Sequence, residues 1–598
     1  MIQGLTGKVN GVGVAVEASS KVVLLPTDPA SNDIDLRRMA GWAMNYLIRT
    51  PRPGLNYEPV FQCHPLKCPP VPAGHDVVVP CDTDARMNWE WYYMRDVSGS
   101  EAGKDVETAF HKRILEYVQE DGMVLAPPGA YNEADIHKVY KKEDYVYHVW
   151  GATKILYALA EDFRRTANPQ SRDIARKIML RLRKVAIFPV PDKSYLPAGM
   201  GALGQDGRAV PNSWNKVPAP LVEALLHYHL ATGDQEALDF ARAYAEGIMA
   251  GIQPDGIKVG SNGNFGGGHG HGTLHALWGI AHLGAITGEN KYMEFAKRSF
   301  DWMLTQGTGT GWFPAAPEWA TDCNETCCIS DMISLAELIA RDGHPEYFDY
   351  LERYLRNYIS NLQFIVTPEF EGYYRKLNQG AGEEQIPKGL EELRKFQGGI
   401  VGGSGLNDYE NVLLGGTSGF KLFGCCAPEG MRAIHTAWSQ VIDQLPESKL
   451  GPAGVYVNLA LNRDSKWGRV VSFFPDEGRM TVKSGAKDRF FLRPPHWAPR
   501  DKVRAFVGNR AIPIQWSGAH VRFDGVNPGD EVTITYPLLS FTQDVEGLWE
   551  KAPNLKMKFV WLGNMVVSSD PAPTGTPLFT GKPRRLPNPP ETSGKGTR

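Results

Sequence analysis

Residues 219–251 read APLVEALLHYHLATGDQEALDFARAYAEGIMAG. Apolar side chains recur at intervals of three and four on both sides of Gly233-Asp234, where a glycine that ends helices meets an aspartate that starts them. The stretch therefore predicts two antiparallel helices, 219–232 and 235–251, joined by a tight turn. Together they form a helical hairpin.

The helical period extends over most of the chain before residue 445, and the hairpin repeats around Gly288. The other predicted helices are 34–49, 84–97, 105–119, 144–165, 171–184, 271–286, 290–305, 325–341, 345–361 and 427–443. Six such hairpins closing on themselves would form an (α/α)6 barrel, so we predict a barrel-shaped catalytic domain at 31–445. Residues 362–424 are less regular, rich in glycine and charge, and are predicted to be a long loop region over the barrel.

The two ends of the chain have a different pattern. Residues 1–30 contain short β segments at 11–16 and 22–25, which we expect to pack on the rest of the protein. From 446 to 575 apolar residues alternate with period two between turn signals, which predicts a C-terminal β-sandwich. Residues 576–598, rich in proline, glycine and lysine, are predicted to be a loosely held tail.

Composition excludes several classes of partner. The chain has 598 residues, a formal net charge of −3 and no basic run, so we expect no nucleic-acid partner. No apolar stretch reaches membrane-spanning length, and Met1–Leu5 does not begin a signal peptide, so we expect a cytoplasmic protein without a membrane partner. A homodimer remains open.

Two cysteine motifs carry the most specific chemistry. They are Asn-Glu-Thr-Cys-Cys at 324–328 and Gly-Cys-Cys-Ala-Pro at 424–428, each at the start of a predicted helix. If the motifs converge, Glu325, Cys327, Cys425 and Cys426 supply the three sulfurs and one carboxylate of a tetrahedral zinc site. Either Cys323 or Cys328 could replace one of these ligands. The alternative is that the cysteines are small buried apolar residues.

Histidines provide a second set of candidates. His269 and His271 alternate with glycines, which let a ligand approach the backbone closely, so they could bind sugar hydroxyls or a metal. The alternative is a turn with surface histidines. His148 lies among aromatic residues on a predicted helix, where a histidine is more often part of the core.

Carboxylates beside aromatic residues form a third set. Asp82 and Asp84 precede Trp89, a combination that can grip sugar hydroxyls and stack on a sugar ring; a helix N-cap is the alternative. Glu318 lies between aromatic residues, and burial there would raise its pKa and suit a general acid. A loop glutamate without a role is the alternative.

At these positions the chain resembles glycoside hydrolase family 127, the β-L-arabinofuranosidases and their relatives. The similar motifs are Glu-Thr-Cys at 325–327, Cys-Cys-Ala-Pro at 425–428, Asp-Thr-Asp at 82–84, Gly-His at 270–271, the helix with Tyr145 and His148, 353–358, and Arg-Pro-Pro-His-Trp-Ala at 493–498. The family's Gly-Glu-x-Phe stretch is absent, which leaves Glu318 as the nearest acid/base candidate. Tyr373, or its neighbour Tyr374, is similar to a family active-site tyrosine.

The resemblance implies an (α/α)6 barrel with β-sandwich domains and a retaining mechanism on a carbohydrate substrate. By position, Cys425 would be the nucleophile, sharing zinc with Glu325, Cys327 and Cys426, and a glutamate would be the acid/base. The residues alone do not decide whether Cys425 or Cys426 attacks. Two other functions remain open: a sugar epimerase or lyase that uses His148, His269 and His271, and a non-catalytic glycan-binding protein with structural zinc.

Overall fold

The protein is described here by a computed structural model. It describes residues 9–12, 33–59, 62–70, 80–126, 141–199, 201–204, 207–210, 217–251, 269–317, 324–382, 384–410, 413, 420–547 and 554–590. The predicted β segments at 11–16 and 22–25 lie almost entirely outside these residues. Within them, no helix is long and apolar enough to cross a lipid bilayer.

The described residues contain fourteen α-helices. These are α1 Leu36–Arg49, α2 Pro80–Ser98, α3 Lys104–Glu116, α4 Val149–Thr166, α5 Pro169–Val185, α6 Leu221–Thr232, α7 Gln235–Met249, α8 Gly270–Thr287, α9 Asn290–Leu304, α10 Thr326–Arg341, α11 Tyr347–Tyr354, α12 Pro368–Leu377, α13 Gln385–Lys395 and α14 Cys426–Val441. Each of the twelve predicted helices has a counterpart, but predicted helix 345–361 is α-helical only to Tyr354 and continues as a π-helical turn at Leu355–Ile359. The turn at 233–234 is also as predicted: Gly233 ends α6 at φ 77°, and the Asp234 carboxylate accepts hydrogen bonds from the first amides of α7.

The helices pack as a ring with a second layer around it. α2 packs against α4, α4 against α6, α6 against α8, α8 against α10, α10 against α14, and α14 again against α2. The intervening α5, α7 and α9 each pack against both ring helices that flank them in sequence, and α11 packs against α10. α8 shows why it belongs to the ring, because nearly every residue from Gly270 to Gly284 is buried.

The expectation of a long loop region at 362–424 is wrong in part, because this segment contains α12 and α13. Thr367 caps α12 by accepting a hydrogen bond from the amide of Phe370, and Pro368 occupies the first position of the helix. The start of predicted helix 144–165 also differs. Residues Val146–His148 form a strand, and α4 begins only at Val149.

The described strands are mostly short in the helical part of the chain and longer after it. They are β1 Val9–Val12, β2 Gln62–Cys63, β3 Leu125–Ala126, β4 Val146–His148, β5 Ile187–Val190, β6 Lys193–Tyr195, β7 Ala202–Leu203, β8 Leu422–Phe423, β9 Asp443–Leu445, β10 Gly454–Val457, β11 Arg463–Ser465, β12 Gly468–Ser472, β13 Arg479–Ser484, β14 Asp488–Leu492, β15 Arg504–Val507, β16 Arg510–Ile512, β17 Trp516–Ser517, β18 His520–Val526, β19 Glu531–Thr535, β20 Ser540–Glu546, β21 Lys556–Leu562 and β22 Met565–Asp570.

A β domain therefore follows the helical domain. Its sheets have the strand orders β17-β18-β14-β10-β9, β11-β12-β13-β19-β15-β16 and β1-β20-β21-β22. Most pairs are antiparallel, but β10 and β14 are parallel, with Val455 opposite Phe490. β1 comes from the other end of the chain and pairs with β20, where Val9 lies opposite Gln543.

The segments 353–358 and 493–498 meet at the contact between the two domains. Arg493 donates to the Asp349 carboxylate at 2.8 Å, and the amide of His496 donates to its other oxygen at 2.7 Å. Arg353 and Trp497 both donate to the side-chain oxygen of Asn564, at 3.0 and 2.9 Å. These two motifs therefore hold the domains together through buried polar contacts.

The expectation of a loosely held tail is wrong for residues 576–590, which lie against the helical domain. Arg584 donates to the carbonyl oxygens of Asn361 and Gln363 at 2.7 and 2.5 Å. Trp42 donates to the carbonyl of Pro587 at 2.8 Å, and the Leu586 side chain is buried. Proline-rich composition indicated flexibility, but these carbonyls and side chains find partners on the helices.

Candidate metal centre

The four predicted metal ligands come together at the N-terminal ends of two ring helices. Glu325 immediately precedes α10 and Cys425 immediately precedes α14, so Cys327 and Cys426 lie in the first turns. One ligand atom from each of Glu325, Cys327, Cys425 and Cys426 lies within 4.8 Å of the others. The positive ends of both helices therefore face the group and favour thiolates and a carboxylate there.

The spacing of the sulfurs fits a tetrahedral ion. Two sulfurs bound at ~2.3 Å in a tetrahedral site lie about 3.8 Å apart. The Sγ of Cys426 lies 3.4 Å from that of Cys327 and 3.7 Å from that of Cys425. All three thiols are free of disulfides, so three sulfurs and one carboxylate, a donor set that zinc accepts, are available.

The segment 401–404 links the two cysteine motifs. The amide of Thr326 donates to the carbonyl of Gly402 at 3.1 Å, and Asn324 and Ser404 exchange hydrogen bonds. A Cβ at Gly402 would lie 2.3 Å from Phe423 Cδ2 and 3.0 Å from Cys426 Sγ. Only glycine therefore lets this segment pack against the metal ligands, and the sequence patterns did not single it out.

The three thiols differ in exposure and in acidity. Cys327 and Cys426 are buried, whereas Cys425 is partly exposed. Burial raises the pKa of Cys327 and of Cys426 well above the ordinary value for a thiol. Thiol hydrogen bonds from these two neighbours hold the pKa of Cys425 well below it. Cys425 thus combines partial exposure with a lowered thiol pKa.

His269 contacts one of the four candidate ligands, Glu325. Its Nε2 is 3.0 Å from Oε2 of Glu325. Burial alone would lower the pKa of His269, but the Glu325 carboxylate outweighs it and raises that pKa. This contact helps to fix the orientation of the Glu325 carboxylate.

His271 is held on both sides of its ring by protein groups. Its Nδ1 lies 2.6 Å from Asp331 Oδ2, and Arg86 Nη1 lies 3.0 Å from its Nε2. Burial and the Arg86 guanidinium lower the pKa of His271 well below its ordinary value. A neutral ring that donates from Nδ1 and accepts at Nε2 satisfies both contacts. Both ring nitrogens of His271 are therefore occupied by protein partners.

A buried network of charges underlies the metal centre, and sequence reasoning missed most of it. Arg86 donates to Asp82 at 2.7 Å and to Glu429 at 2.7 Å. Arg432 donates to Glu429 and to Asp331, each at 2.7 Å, and Lys154 lies 3.5 Å from Glu429. The network members are Asp82, Arg86, Lys154, Asp331, Glu429 and Arg432, three carboxylates and three cations. The i,i+4 pair Asp82–Arg86 and the i,i+3 pair Glu429–Arg432 were the available sequence signals.

The structure separates the two predicted aspartates. Asp82 belongs to the buried network, whereas Asp84 faces α3, where it accepts hydrogen bonds from Arg113 and Tyr117, each at 2.7 Å. Burial raises the pKa of Asp84 to about 6. Asp84 is therefore not brought to the metal centre. The two residues lie within α2 rather than capping it, so the helix-cap alternative is not observed for either.

His148 caps α4. Its Nδ1 accepts a hydrogen bond from the amide of Gly151 at 3.1 Å. Burial lowers the pKa of His148 to about 4, partly opposed by Asp82. The ring is therefore neutral, lies near Asp82, and uses Nδ1 as a helix cap.

The remaining candidates lie away from the metal ligands or outside the described residues. Tyr373, on α12, is half-buried; burial, and then its interaction with Glu410, raise its pKa to about 12. Cys328 lies 3.8 Å from Glu325 but outside the group of four ligands. Glu318 and Cys323 lie outside the described residues.

Comparison with known proteins supports the fold. No protein-family model and no curated protein sequence matches this chain. The chain is similar to the crystal structure of a GH127 β-L-arabinofuranosidase from Geobacillus stearothermophilus T6, with TM-score 0.55 and 16% identity over 90% of this chain and 86% of that one. A second GH127 β-arabinofuranosidase gives TM-score 0.54 and 16% identity, over 90% and 81% of the two chains. A glycoside hydrolase structure gives TM-score 0.53 and 12% identity, over 94% and 84%.

The resemblance to family 127 is thus confirmed at the level of the fold. The likeness extends through both the helical and the β domain, since it covers nine-tenths of this chain.

Proposed function

We propose that the protein is a retaining glycoside hydrolase that releases L-arabinofuranose or a related sugar from β-linked glycosides, with Cys425 as nucleophile. The convergence of Glu325, Cys327, Cys425 and Cys426 carries this proposal. Two segments about a hundred residues apart supply three free thiols and a carboxylate to one point. A structural zinc site alone would not require one of its thiols to be accessible, as Cys425 is.

The proposal also includes the architecture around the site. The packing of α2, α4, α6, α8, α10 and α14 in a ring supports a closed (α/α)6 barrel as the catalytic domain, at 31–445. We assign the β domain, at 446–575, as a β-sandwich. Residues 1–30 then contribute a strand that packs on it, through the pairing of β1 with β20.

Zinc, bound by Glu325 and the three thiols, would keep those thiols deprotonated and fix their positions. In the first step Cys425 Sγ attacks the anomeric carbon. A sulfur–carbon bond forms, the glycosidic carbon–oxygen bond breaks, and a glutamic acid, for which Glu318 is the candidate, gives its proton to the leaving oxygen. In the second step the same glutamate takes a proton from water. The water oxygen bonds to the anomeric carbon and the Cys425 thiolate is released.

The chain's own charges prepare this chemistry. Arg86 lies among the groups that hold the pKa of Cys425 low. His269 binds the Glu325 carboxylate and keeps it oriented. The epimerase alternative is less well supported, because both ring nitrogens of His271 contact Asp331 and Arg86 and are committed to those groups.

The test compares wild type with Cys425→Ala for zinc content and for hydrolysis of aryl L-arabinofuranosides of both anomers. We expect cleavage of the β anomer, a loss on the order of 10³-fold or more in the variant, and weaker zinc retention against a chelator. Cys68→Ala is the matched control, since Cys68 is also a free, half-buried thiol. Undiminished cleavage by Cys425→Ala would refute the cysteine nucleophile. Zinc binding with no cleavage of either anomer would favour the glycan-binding alternative.

A further inference from the structure

A second cluster of metal-binding side chains lies in the ring, far from the cysteines. It consists of Glu223 and His227 on α6 and His282 on α8. His271 lies near the metal centre, and His282 is eleven residues farther along the same helix. At 1.5 Å per residue these two histidines are about 16 Å apart along the axis of α8. The cluster therefore belongs to the opposite end of the helical ring.

The three side chains are arranged as ligands of one ion would be. His227 Nε2 lies 2.9 Å and His282 Nδ1 lies 3.0 Å from the same oxygen of Glu223. Ligand atoms bound at ~2.1 Å are about 3.4 Å apart in a tetrahedral site and about 3.0 Å apart in an octahedral one, so the spacing is near both. Glu223 is fully buried, while the histidines are 16% and 21% exposed, so the cluster opens on the imidazole side.

A cavity of about 190 Å³ adjoins the cluster and is lined by all three of its members. It offers space for an ion and for the waters that would complete its coordination. Two arginines also line it, but both are engaged elsewhere. Arg432 is bonded to Glu429, Ser334 and Asp331, and Arg341 is paired with Glu337 at 3.3 Å.

The imidazole ring of His227 also contacts two further residues, Tyr157 and Glu161. It packs on Tyr157 with ring centroids 4.1 Å apart, which fixes its plane. The buried Glu161 carboxylate lies 3.9 Å from its other nitrogen, Nδ1. A carboxylate behind a histidine is a common partner of metal-binding imidazoles.

A third group with ligand-like spacing consists of His271, His275 and Asp331, and it is less suited to bind a metal ion. Arg86 lies 3.0 Å from His271 Nε2, and Lys154 lies 3.4 Å from His275 Nδ1. Two protein cations therefore already contact this group, and all three of its side chains are buried. Charge therefore distinguishes the cluster on α6 and α8 from this one.

We propose that Glu223, His227 and His282 form a second metal site, which binds a divalent first-row transition-metal cation and joins α6 to α8 at the end of the ring opposite the cysteines. Two imidazoles and one carboxylate suit zinc, nickel, cobalt or iron, and they leave positions for water. Bound metal would stabilise the folded protein by linking the two helices.

The first test is metal content of the full-length protein after equilibration with zinc. We expect about two zinc ions per chain in wild type and about one fewer in His227→Gln and in His282→Gln. His229→Gln is the matched control, because His229 lies on the same helix but bonds to the carbonyl of Asp234, and it should retain the wild-type content. Equal zinc content in all four proteins would overturn the proposal.

Cobalt titration of metal-free wild type gives a readout that does not depend on the variants folding. Cobalt bound to thiolates shows a sulfur-to-metal charge-transfer band, whereas cobalt bound to histidine and carboxylate shows only weak visible bands. We expect one equivalent of each kind. A titration in which every bound cobalt adds charge-transfer intensity would refute the second site. A titration that produces the weak visible bands but no charge-transfer band would instead contradict the proposed cysteine centre and leave the second site supported.

Discussion

Replacing Arg86 by methionine tests the buried network beneath the metal centre. The Arg86 guanidinium donates two hydrogen bonds to Asp82, at 2.7 and 3.1 Å, and one to Glu429 at 2.7 Å. The side chain is 1% exposed, so water cannot replace these bonds. Methionine fills similar space without charge, and the effect of Arg86→Met is therefore electrostatic rather than a cavity.

The expected loss of stability depends on which partners each carboxylate retains in Arg86→Met. Glu429 retains Arg432 at 2.7 Å and Lys154 at 3.5 Å, whereas Asp82 loses both of its hydrogen bonds from the guanidinium. Leaving a buried charge without its partner costs about 3–5 kcal/mol. Because only Asp82 loses its main partner, we expect the free energy of unfolding to fall by about 3 kcal/mol, which is on the order of a hundredfold in the unfolding equilibrium.

The loss should depend on pH in a defined direction. Although burial opposes it, Arg86 lowers the pKa of Asp82 in the folded protein. Asp82 therefore contributes stability above the pKa of an unfolded aspartate, and this contribution is lost as the pH falls. The difference between wild type and Arg86→Met should be largest near neutral pH and narrow in acid.

The assay is urea unfolding followed by tryptophan fluorescence at several pH values. Arg172→Met is the control: this arginine pairs with Asp173 on the surface of α5, is 47% exposed, and should leave the free energy of unfolding nearly unchanged. A loss for Arg86→Met as small as that of the control, or one that does not change with pH, would refute this account of the network.

Two further changes have equally direct outcomes. The pKa of His148 falls from 6.5 to about 4 on folding, so stability worth about 3 kcal/mol should be lost as the pH drops from 6.5 towards 4. His148→Asn, which keeps a cap on α4, should flatten that part of a plot of melting temperature against pH; an unchanged profile would contradict the assignment. Gly402→Ala, whose Cβ would lie 2.3 Å from Phe423 and 3.0 Å from Cys426 Sγ, should weaken zinc binding and cost about 1–3 kcal/mol. Gly372→Ala, in open space on α12, is its control, and equal zinc affinity in the two variants would refute the packing argument.

The sequence was sufficient for twelve of the fourteen described helices and for the four side chains that lie together as candidate metal ligands. The period of the apolar residues and the caps at Gly233 and Asp234 are local signals, and the structure confirms them because the two helices end and begin there. Glu325, Cys327, Cys425 and Cys426 were recognisable because each thiol motif lies beside a helix start. Their residue types, rather than their contacts, pointed to a metal.

Tertiary structure alone decided which distant groups meet. Arg86 and Glu429 are 343 residues apart in sequence, and no local pattern pairs them. The same holds for the direction of Asp84, which turns to Arg113 instead of the metal centre, and for Arg584, which holds the end of the chain against the helices. Helix formation depends on neighbours a few residues away, and the amino-acid sequence therefore determines it. The partner of a buried charge depends on how the ring closes, which only the folded chain determines.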